Sequence, residues 1–174
     1  TDRGTISVLL STDGLPQGTD VEQATVSVEL NGSAVDSTSK LVDAGDIERS
    51  TVIVLDASLS MNKGGRFEAA KTAINAFLDA APADVSIGLV AFAGKVTSSL
   101  APTTDRQALR TTLDAVELKR GTSVYDAIVE GARMLSDGEG ARSLLVLSDG
   151  ADTSSDMTLE VATADASTAE VVVD

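Results

Sequence analysis

Residues 51–60 read TVIVLDASLS, an apolar run that ends abruptly in polar residues. The run over 52–55 is aliphatic and largely β-branched without polar alternation, which is typical of a strand buried on both faces of a parallel sheet. Asp56 follows the run at once, and Ser58 and Ser60 come next at alternate positions. These residues are consistent with a cap on the following helix and equally with a set of oxygen ligands for a cation.

The composition limits the chemistry that this chain can perform. Its 174 residues include no Cys and no His, which excludes disulfides, thiolate chemistry, Ser-His-Asp triads and most zinc sites. The formal net charge of −14 argues against nucleic acid and anionic membrane surfaces as partners, because neutralising phosphates requires clustered Lys and Arg. No run of about 20 apolar residues occurs, so we expect no membrane insertion by this segment. Since the chain lacks an initiator Met, we expect it to be an excised or processed segment.

Residues 1–49 are predicted to form a small β-rich N-terminal module. Short strand-like stretches occur at 5–10 and 25–30, the second with clean alternation of apolar and polar residues. The Asn31-Gly32 pair predicts a two-residue hairpin turn that leads into a further strand. A module of this size has little core of its own, so we expect it to accompany a larger domain.

From residue 50 to residue 174, predicted strands alternate with predicted helices. Strands are predicted at 84–92, 95–100, 143–147 and 169–173. Helices are predicted at 66–80 and 157–167. Two further helices are predicted, one that starts with a capping box at Thr104 and Gln107 and one that follows Gly121. Such alternation predicts an α/β fold, with a Rossmann-like, mostly parallel sheet that carries helices on both faces.

Three loops are expected to meet at the edge where the parallel strands end, which is where ligands bind in open α/β sheets. Their candidate ligands are Asp56, Ser58 and Ser60 in the first loop, Thr122 in the second and Asp149 in the third. Two carboxylates and three hydroxyls form an all-oxygen set, which favours a hard divalent cation, Mg²⁺ first and Mn²⁺ or Ca²⁺ as alternatives, over zinc. A plain helix cap at Thr122 and a plain Asp-Gly turn at Asp149 remain the alternatives.

The motifs in these loops resemble those of the von Willebrand factor type A domain family. The resemblance covers about residues 50–174 and rests on Asp56-Ala57-Ser58-Leu59-Ser60, which matches D-x-S-x-S, on Gly121-Thr122, and on Leu147-Ser148-Asp149-Gly150. In that family these positions form the metal-ion-dependent adhesion site. The resemblance therefore implies that Asp56, Ser58, Ser60, Thr122 and Asp149 hold the metal, directly or through water. It also implies that a Glu or Asp of a partner protein completes the coordination.

Two features depart from the family pattern. Leu59 stands where many members have Gly, and the chain ends at Asp174, before the further strand and closing helix of the family, which implies a C-terminally truncated domain. The sequence of residues 66–110 is similar to that of bacterial members of the family. With the β-rich leader, it also resembles actinobacterial proteins that join this domain to a pilus-assembly or type II secretion membrane segment. The resemblance thus implies an envelope or extracellular location, anchored by a segment outside this chain.

The function predicted from these observations is a non-enzymatic, metal-dependent protein-binding module for adhesion or assembly. One alternative is a metal-assisted phosphatase or hydrolase with Asp56 as nucleophile, although haloacid-dehalogenase-type phosphatases require Asp where Ser58 stands. The other alternative is a structural domain whose site has lost its function. With so acidic a chain, long-range electrostatics are expected to repel an acidic partner, so attraction would be local to the metal.

Overall fold

The chain divides into two units, Thr1–Ala44 and Gly45–Asp174; the boundary predicted from sequence falls between residues 49 and 50. The structure is a computed structural model that describes residues 27–36, 48–138 and 140–174. The predicted strand at 5–10 lies outside these residues.

In the first unit, the described residues form a β-hairpin. Strand β1 (Val28–Leu30) pairs antiparallel with β2 (Ser33–Val35). The turn between them has positive φ at both central residues, 52° at Asn31 and 77° at Gly32, as a type I′ hairpin turn requires. The predicted Asn-Gly hairpin is therefore confirmed.

The second unit is a five-stranded sheet with helices on both faces. Its strands are β3 (Arg49–Asp56), β4 (Ser86–Phe92), β5 (Val96–Thr103), β6 (Ala141–Leu147) and β7 (Val172–Val173). Its helices are α1 (Arg66–Ala80), α2 (Arg106–Asp114), α3 (Val124–Leu135) and α4 (Leu159–Thr168). The strand order is β5-β4-β3-β6-β7, and every pairing is parallel except that of β4 with β5. The predicted fold class is confirmed.

Strand β3 occupies the centre of the sheet because it can be buried on both faces. Ile53 and Leu55 lie in one hydrophobic core and Val52 and Val54 in the other, and all four are 0% exposed. The chain leaves β3 for β4 on one side and later returns to β6 on the other side. The strand order therefore reverses at β3, and the loops that follow β3, β4 and β6 share one edge.

The helices divide between the two faces according to their apolar stripes. Helices α1 and α2 bury their apolar side chains in the core that contains Ile53 and Leu55, whereas α3 covers the other core. Between β3 and α1 the chain forms a kinked 3₁₀ segment (Leu59–Gly65). No helix in the described part of the chain is long and apolar enough to cross a bilayer.

The cap of α2 differs from the sequence-based prediction. Asp105, and not Thr104, is the N-cap residue, and its side chain accepts hydrogen bonds from the N–H groups of Gln107 and Ala108 at 2.9 and 3.0 Å. The predicted capping box was therefore wrong by one residue. The physical reason is that Asp105 can satisfy two orphan N–H groups by itself, with a charge that the helix N-terminus favours.

Candidate metal centre

Asp56 ends β3 as a fully buried carboxylate held from two sides. Its Oδ1 accepts the backbone N–H of Ser58 at 2.7 Å, and its Oδ2 accepts the hydroxyl of Ser148 at 2.6 Å. The bond to the N–H two residues ahead is an Asx turn, which bends the chain sharply out of the strand. The bond from Ser148 ties the end of β3 to the loop after its neighbour β6. Both carboxylate oxygens are thereby fixed in orientation.

The hydroxyls of Ser58 and Ser60 continue this network to the second carboxylate. Their Oγ atoms lie 2.7 Å apart, and Ser60 Oγ donates to Asp149 Oδ1 at 2.7 Å. Because a hydroxyl has one proton to donate and Ser60 gives it to Asp149, Ser58 is the donor in the bond between the two serines. Asp56, Ser58, Ser60 and Asp149 therefore lie in one connected group of oxygens at the edge of the sheet.

Asp149 forms an ion pair with Arg66, and its pKa is lowered. Its side chain is only 10% exposed, and its Oδ2 accepts a hydrogen bond from Arg66 in an ion pair. The hydrogen bond from Ser60 lowers the pKa of Asp149, and the hydrogen bond and charge of Arg66 and the charge of Lys63 lower it further, against the opposing effect of burial. The carboxyl group of Asp149 therefore loses its proton more readily than an ordinary Asp.

Thr122 lies at the same edge, in a loop fixed by its backbone. Its neighbour Ser123 donates through N–H to Ala93 O at 2.7 Å, and Thr122 O accepts the N–H of Thr153 at 2.8 Å. Thr122 is 7% exposed, and its own hydroxyl forms no hydrogen bond within the described residues. The structure therefore connects four of the five predicted ligands directly and places Thr122 beside them without a bond to any of the four.

The loop that carries Thr122 lies against the loops after β3 and β4. Lys119 donates its N–H to Ala57 O and accepts the N–H of Leu59, both at 2.8 Å. A Cβ atom on Gly121, which has φ +86°, would lie 2.6 Å from the Cα of Gly94. Because this approach is closer than any side chain allows, the loop around Thr122 depends on glycine at both positions.

Two carboxylates clasp the loop after Asp149 to the start of α3. Asp152 accepts hydrogen bonds from Ser155 and from the backbone N–H of Tyr125, while Asp126 accepts the backbone N–H of Met157 at 2.9 Å. Burial acts to raise the pKa of Asp152, but the hydrogen bonds from the hydroxyl and N–H of Ser155 and from the backbone of α3 outweigh it and lower the pKa. The clasp fixes the distance between the loop of Asp149 and the helix that follows Thr122.

Sequence reasoning missed Ser148, Arg66 and Asp152, and of these three only Ser148 could have been predicted from the sequence. Ser148 precedes Asp149 in the matched motif, so its role at Asp56 carried a signal in the sequence. Arg66 and Asp152 carried none, since their contacts join segments that only the folded sheet brings together. Leu59, noted as an unusual residue, is 46% exposed beside the two serines.

The donor chemistry of this edge fits a hard divalent cation. Carboxylate and hydroxyl oxygens are ligands that Mg²⁺ accepts, and the Thr122 hydroxyl has no other acceptor or donor among the described residues. In the described ranges, no three His, Cys, Asp or Glu side chains are arranged so that they alone could hold a metal ion. A metal here would consequently rely on two carboxylates and would retain water, as Mg²⁺ usually does.

Comparisons with known proteins agree with this architecture. The sequence profile of the family described as "von Willebrand factor type A domain" matches residues 51–151. The UPF0353 protein of Nocardia farcinica is 33% identical over 82 residues, which cover 45% of this chain and 24% of that protein. This chain therefore spans only a minor share of that curated relative.

Solved structures show the same fold. An aerotolerance-related membrane protein from Bacteroides fragilis matches with a TM-score of 0.62 and 27% identity, over 72% of this chain and 65% of the other. The von Willebrand factor domain of the type V pili tip protein Mfa5 from Porphyromonas gingivalis matches with a TM-score of 0.58 and 20% identity, over 66% and 43%. Because the family profile covers more than half of the 174 residues, this chain belongs to the von Willebrand factor type A domain family.

Proposed function

We propose that this domain binds a protein partner through a divalent cation held at the edge described above. The ligand positions would be Asp56, Ser58, Ser60, Thr122 and Asp149, and Mg²⁺ is the first candidate, with Mn²⁺ or Ca²⁺ as alternatives. The observation that carries the proposal is the connected oxygen network from Asp56 to Asp149, located at the reversal of strand order. Family membership supports it, since von Willebrand factor type A domains are generally interaction modules.

The bound cation would supply a positive centre with replaceable water, to which a Glu or Asp of the partner could bind. The chain's own residues would then serve three purposes. Asp56 and Asp149 provide negative charge, the hydroxyls provide neutral oxygens, and the backbone bonds around Thr122 hold its loop in place. Two carboxylates would neutralise a divalent ion, and the carboxylate of the partner would take the place of a bound water.

The geometry opposes the enzymatic alternative. A nucleophilic Asp needs a free oxygen that faces its substrate, whereas Asp56 is fully buried and both its oxygens accept hydrogen bonds. Asp149 is likewise engaged on both oxygens, by Ser60 and Arg66. A carboxylate oxygen that accepts one hydrogen bond keeps a second lone pair for a metal, whereas a nucleophile must also be reachable by a substrate, which the burial of Asp56 opposes.

We also propose that the whole protein works at the bacterial cell envelope, in adhesion, assembly or secretion. The Bacteroides fragilis structure, which matches at 27% identity, is described as a membrane protein. The pilus tip domain is similar in fold only. Fractionation of source cells with an antibody against this domain tests the location, and recovery in the cytosolic fraction would contradict it.

The metal-dependent proposal is tested by calorimetric titration of Mg²⁺ into the wild-type chain and into the Thr122→Ala variant. The variant loses a hydroxyl without a change of net charge and should bind Mg²⁺ more weakly, whereas Thr122→Ser should bind like wild type. Ser123→Ala is a matched control, because the Ser123 hydroxyl donates to Ala93 O at 2.9 Å and is not a predicted ligand. Equal Mg²⁺ affinity of Thr122→Ala and wild type would contradict the assignment.

A second readout is unfolding with and without metal. A ligand at about 100 times its Kd stabilises the native state by about 2.7 kcal/mol. In a domain of this size, that shifts the unfolding midpoint by about 5–11 °C. A midpoint indifferent to millimolar Mg²⁺, Mn²⁺ and EDTA would favour the alternative of a structural domain with a non-functional site.

A further inference from the structure

Basic residues of the second unit differ in what their side chains contact. In residues 48–138 and 140–174, ion pairs engage Arg49, Arg66, Lys71, Arg110, Arg133 and Arg142. Arg106 instead donates to the backbone carbonyls of Thr103, Pro82 and Val85. The remaining basic side chains in these ranges are exposed and have neither an ion pair nor a hydrogen bond there; they are Lys63, Lys95, Lys119 and Arg120.

These four residues, which we name the basic collar, all lie in loops at the edge that carries the candidate metal centre. Lys63 is in the 3₁₀ segment between β3 and α1, and Lys95 is in the turn between β4 and β5. Lys119 and Arg120 belong to the loop that leads to Thr122. The collar is therefore confined to one edge, although acidic residues outnumber basic ones 27 to 13 in the whole chain.

Backbone contacts place the collar directly around the D-x-S-x-S loop. Lys119 forms a parallel β-bridge with Ser58, and the Gly94 N–H donates to Arg120 O at 2.9 Å. Ala93 donates its N–H to Lys95 O at 2.9 Å, so Lys95 and Arg120 flank the same glycine. Three positively charged residues, Lys95, Lys119 and Arg120, therefore lie in segments that contact the site.

The loop after β6 carries acidic side chains on the other side of the site. Asp152 and Asp156 belong to the loop after β6, and the Asp152 carboxylate is already engaged by Ser155 and by α3. On the collar side the exposed acidic residues are Glu117, Glu68 in the first turn of α1 and Asp114 at the end of α2, where it pairs with Lys71. The edge is thus polarised, with net positive charge over the loops after β3, β4 and α2 and negative charge over the loop after β6.

We infer that the basic collar selects a partner whose metal-binding Glu or Asp lies within an acidic stretch of polypeptide. This inference rests on the proposed function and specifies the chemistry of its partner. The stretch would run over the loops of Lys95, Lys119 and Arg120, away from Asp156. Lys95, Lys119 and Arg120 form no ion pair within the described residues, so their charges can attract a ligand and orient it during encounter.

The collar changes what the net charge alone predicts. A charge of −14 predicts repulsion of any acidic partner. At physiological ionic strength, however, the Debye length is about 8 Å, so distant acidic surface is largely screened while the charges next to the site still act. An acidic partner is therefore attracted locally, and its binding should weaken as salt increases.

The test uses two synthetic peptides with one central Glu. In the first peptide acidic residues flank the Glu, and in the second Ser and Gly flank it. Binding is measured by fluorescence anisotropy with saturating Mg²⁺, in low salt and in about 1 M salt, where the Debye length falls to about 3 Å. The variant is Lys119→Gln/Arg120→Gln, and Arg49→Gln/Arg133→Gln is a control with the same change of net charge at the opposite edge. The backbone bonds of the 119–120 loop do not involve these side chains, and circular dichroism checks that each variant is folded.

We expect wild type at low salt to bind the acidic peptide about tenfold more tightly than the neutral one. This ratio should approach one at high salt and in the collar variant, and should persist in the control.

Equal affinities for the two peptides, or no binding of the acidic peptide, would overturn the inference, as would an unchanged ratio in the collar variant. Equal Mg²⁺-dependent affinities would overturn the collar and leave the metal proposal standing. Binding that persists in EDTA but disappears in the collar variant would overturn the metal proposal and support the collar alone. Equally tight binding of a single-stranded DNA oligonucleotide would show a general polyanion surface and contradict selection of an acidic polypeptide.

Discussion

The Ser60 hydroxyl donates to Asp149 Oδ1 at 2.7 Å, across 89 positions of sequence. This bond joins the loop after β3 to the loop after β6, the two strands whose ends define the candidate site. It is also the largest cause of the lowered pKa of Asp149. Ser60 therefore has two roles, as an oxygen of the site and as the main cause of the lowered pKa of Asp149.

Ser60→Ala should weaken Mg²⁺ binding by about tenfold or more, because it removes a candidate ligand and the hydrogen bond that orients Asp149, and loss of such an orienting partner typically costs about 10–100-fold in metal affinity. Titration calorimetry at neutral pH measures this effect. Ser99→Ala, at an exposed position of the edge strand β5, is the matched control and should bind like wild type. Equal affinities for Ser60→Ala and Ser99→Ala would remove Ser60 from the ligand set.

Asp56→Asn should abolish Mg²⁺ binding and leave the domain folded, because the amide keeps an acceptor for the Ser58 N–H and can donate to Ser148. Asp56→Ala should also abolish binding but should lower the free energy of unfolding by about 1–3 kcal/mol relative to Asp56→Asn, since it leaves a buried N–H without an acceptor. Urea unfolding in EDTA measures the difference. If Asp56→Ala proves at least as stable as Asp56→Asn, the hydrogen bonds that the side chain accepts from Ser58 and Ser148 do not contribute to the stability of the fold.

The central part of the fold could be predicted from short-range patterns. The aliphatic run at 52–55 identified the central strand because only a doubly buried strand tolerates it, and the apolar stripe at 66–80 gave α1 with its observed limits. Asn31-Gly32 identified its hairpin because few residues adopt positive φ easily. In each case the information lies within a few neighbouring residues.

Contacts that form only in the assembled sheet could not be predicted from short-range sequence patterns. The ion pair of Arg66 with Asp149 and the capping of α3 by Asp152 join residues far apart in sequence. The basic collar is a similar case, because net charge does not reveal which lysines and arginines remain without an acidic neighbour. The five site residues were predicted from the strand-end loops and the family motif, and the structure connects four of them by hydrogen bonds, whereas Thr122 forms no hydrogen bond with the others.

Gly121→Ala should lower both stability and Mg²⁺ affinity. An alanine at φ +86° is strained by about 1–2 kcal/mol, and its Cβ would lie 2.6 Å from the Cα of Gly94, which forces the loop of Thr122 to move. Gly64→Ala is the matched control, because Gly64 also has positive φ, +64°, but its Cβ would meet nothing within 4 Å. Thermal unfolding should show the larger loss for Gly121→Ala. Equal losses in the two variants would mean that backbone strain, and not the contact with Gly94, accounts for the effect.

Asp152→Asn should destabilise the domain in a manner that depends on pH. Hydrogen bonds from Ser155 and from the start of α3 lower the pKa of Asp152 in the folded state, although burial acts to raise it. A carboxyl whose pKa is lower in the folded state stabilises the fold above its unfolded pKa, about 3.9, and loses this contribution as pH falls through the folded value. The variant should therefore lose about 1 kcal/mol at pH 7, the usual value of a helix cap, and the difference from wild type should shrink below about pH 4.

Urea unfolding in EDTA at pH 7 and pH 3 measures this difference without a contribution from bound metal. Asp156→Asn is the matched control, because it removes the same charge from the same loop at an exposed position. Its effect should stay within about 0.5 kcal/mol of wild type at either pH. If the loss in Asp152→Asn were the same at pH 3 as at pH 7, the carboxylate charge would not be the source of the stabilisation. The shape of the side chain would then explain the clasp between α3 and the loop of Asp149.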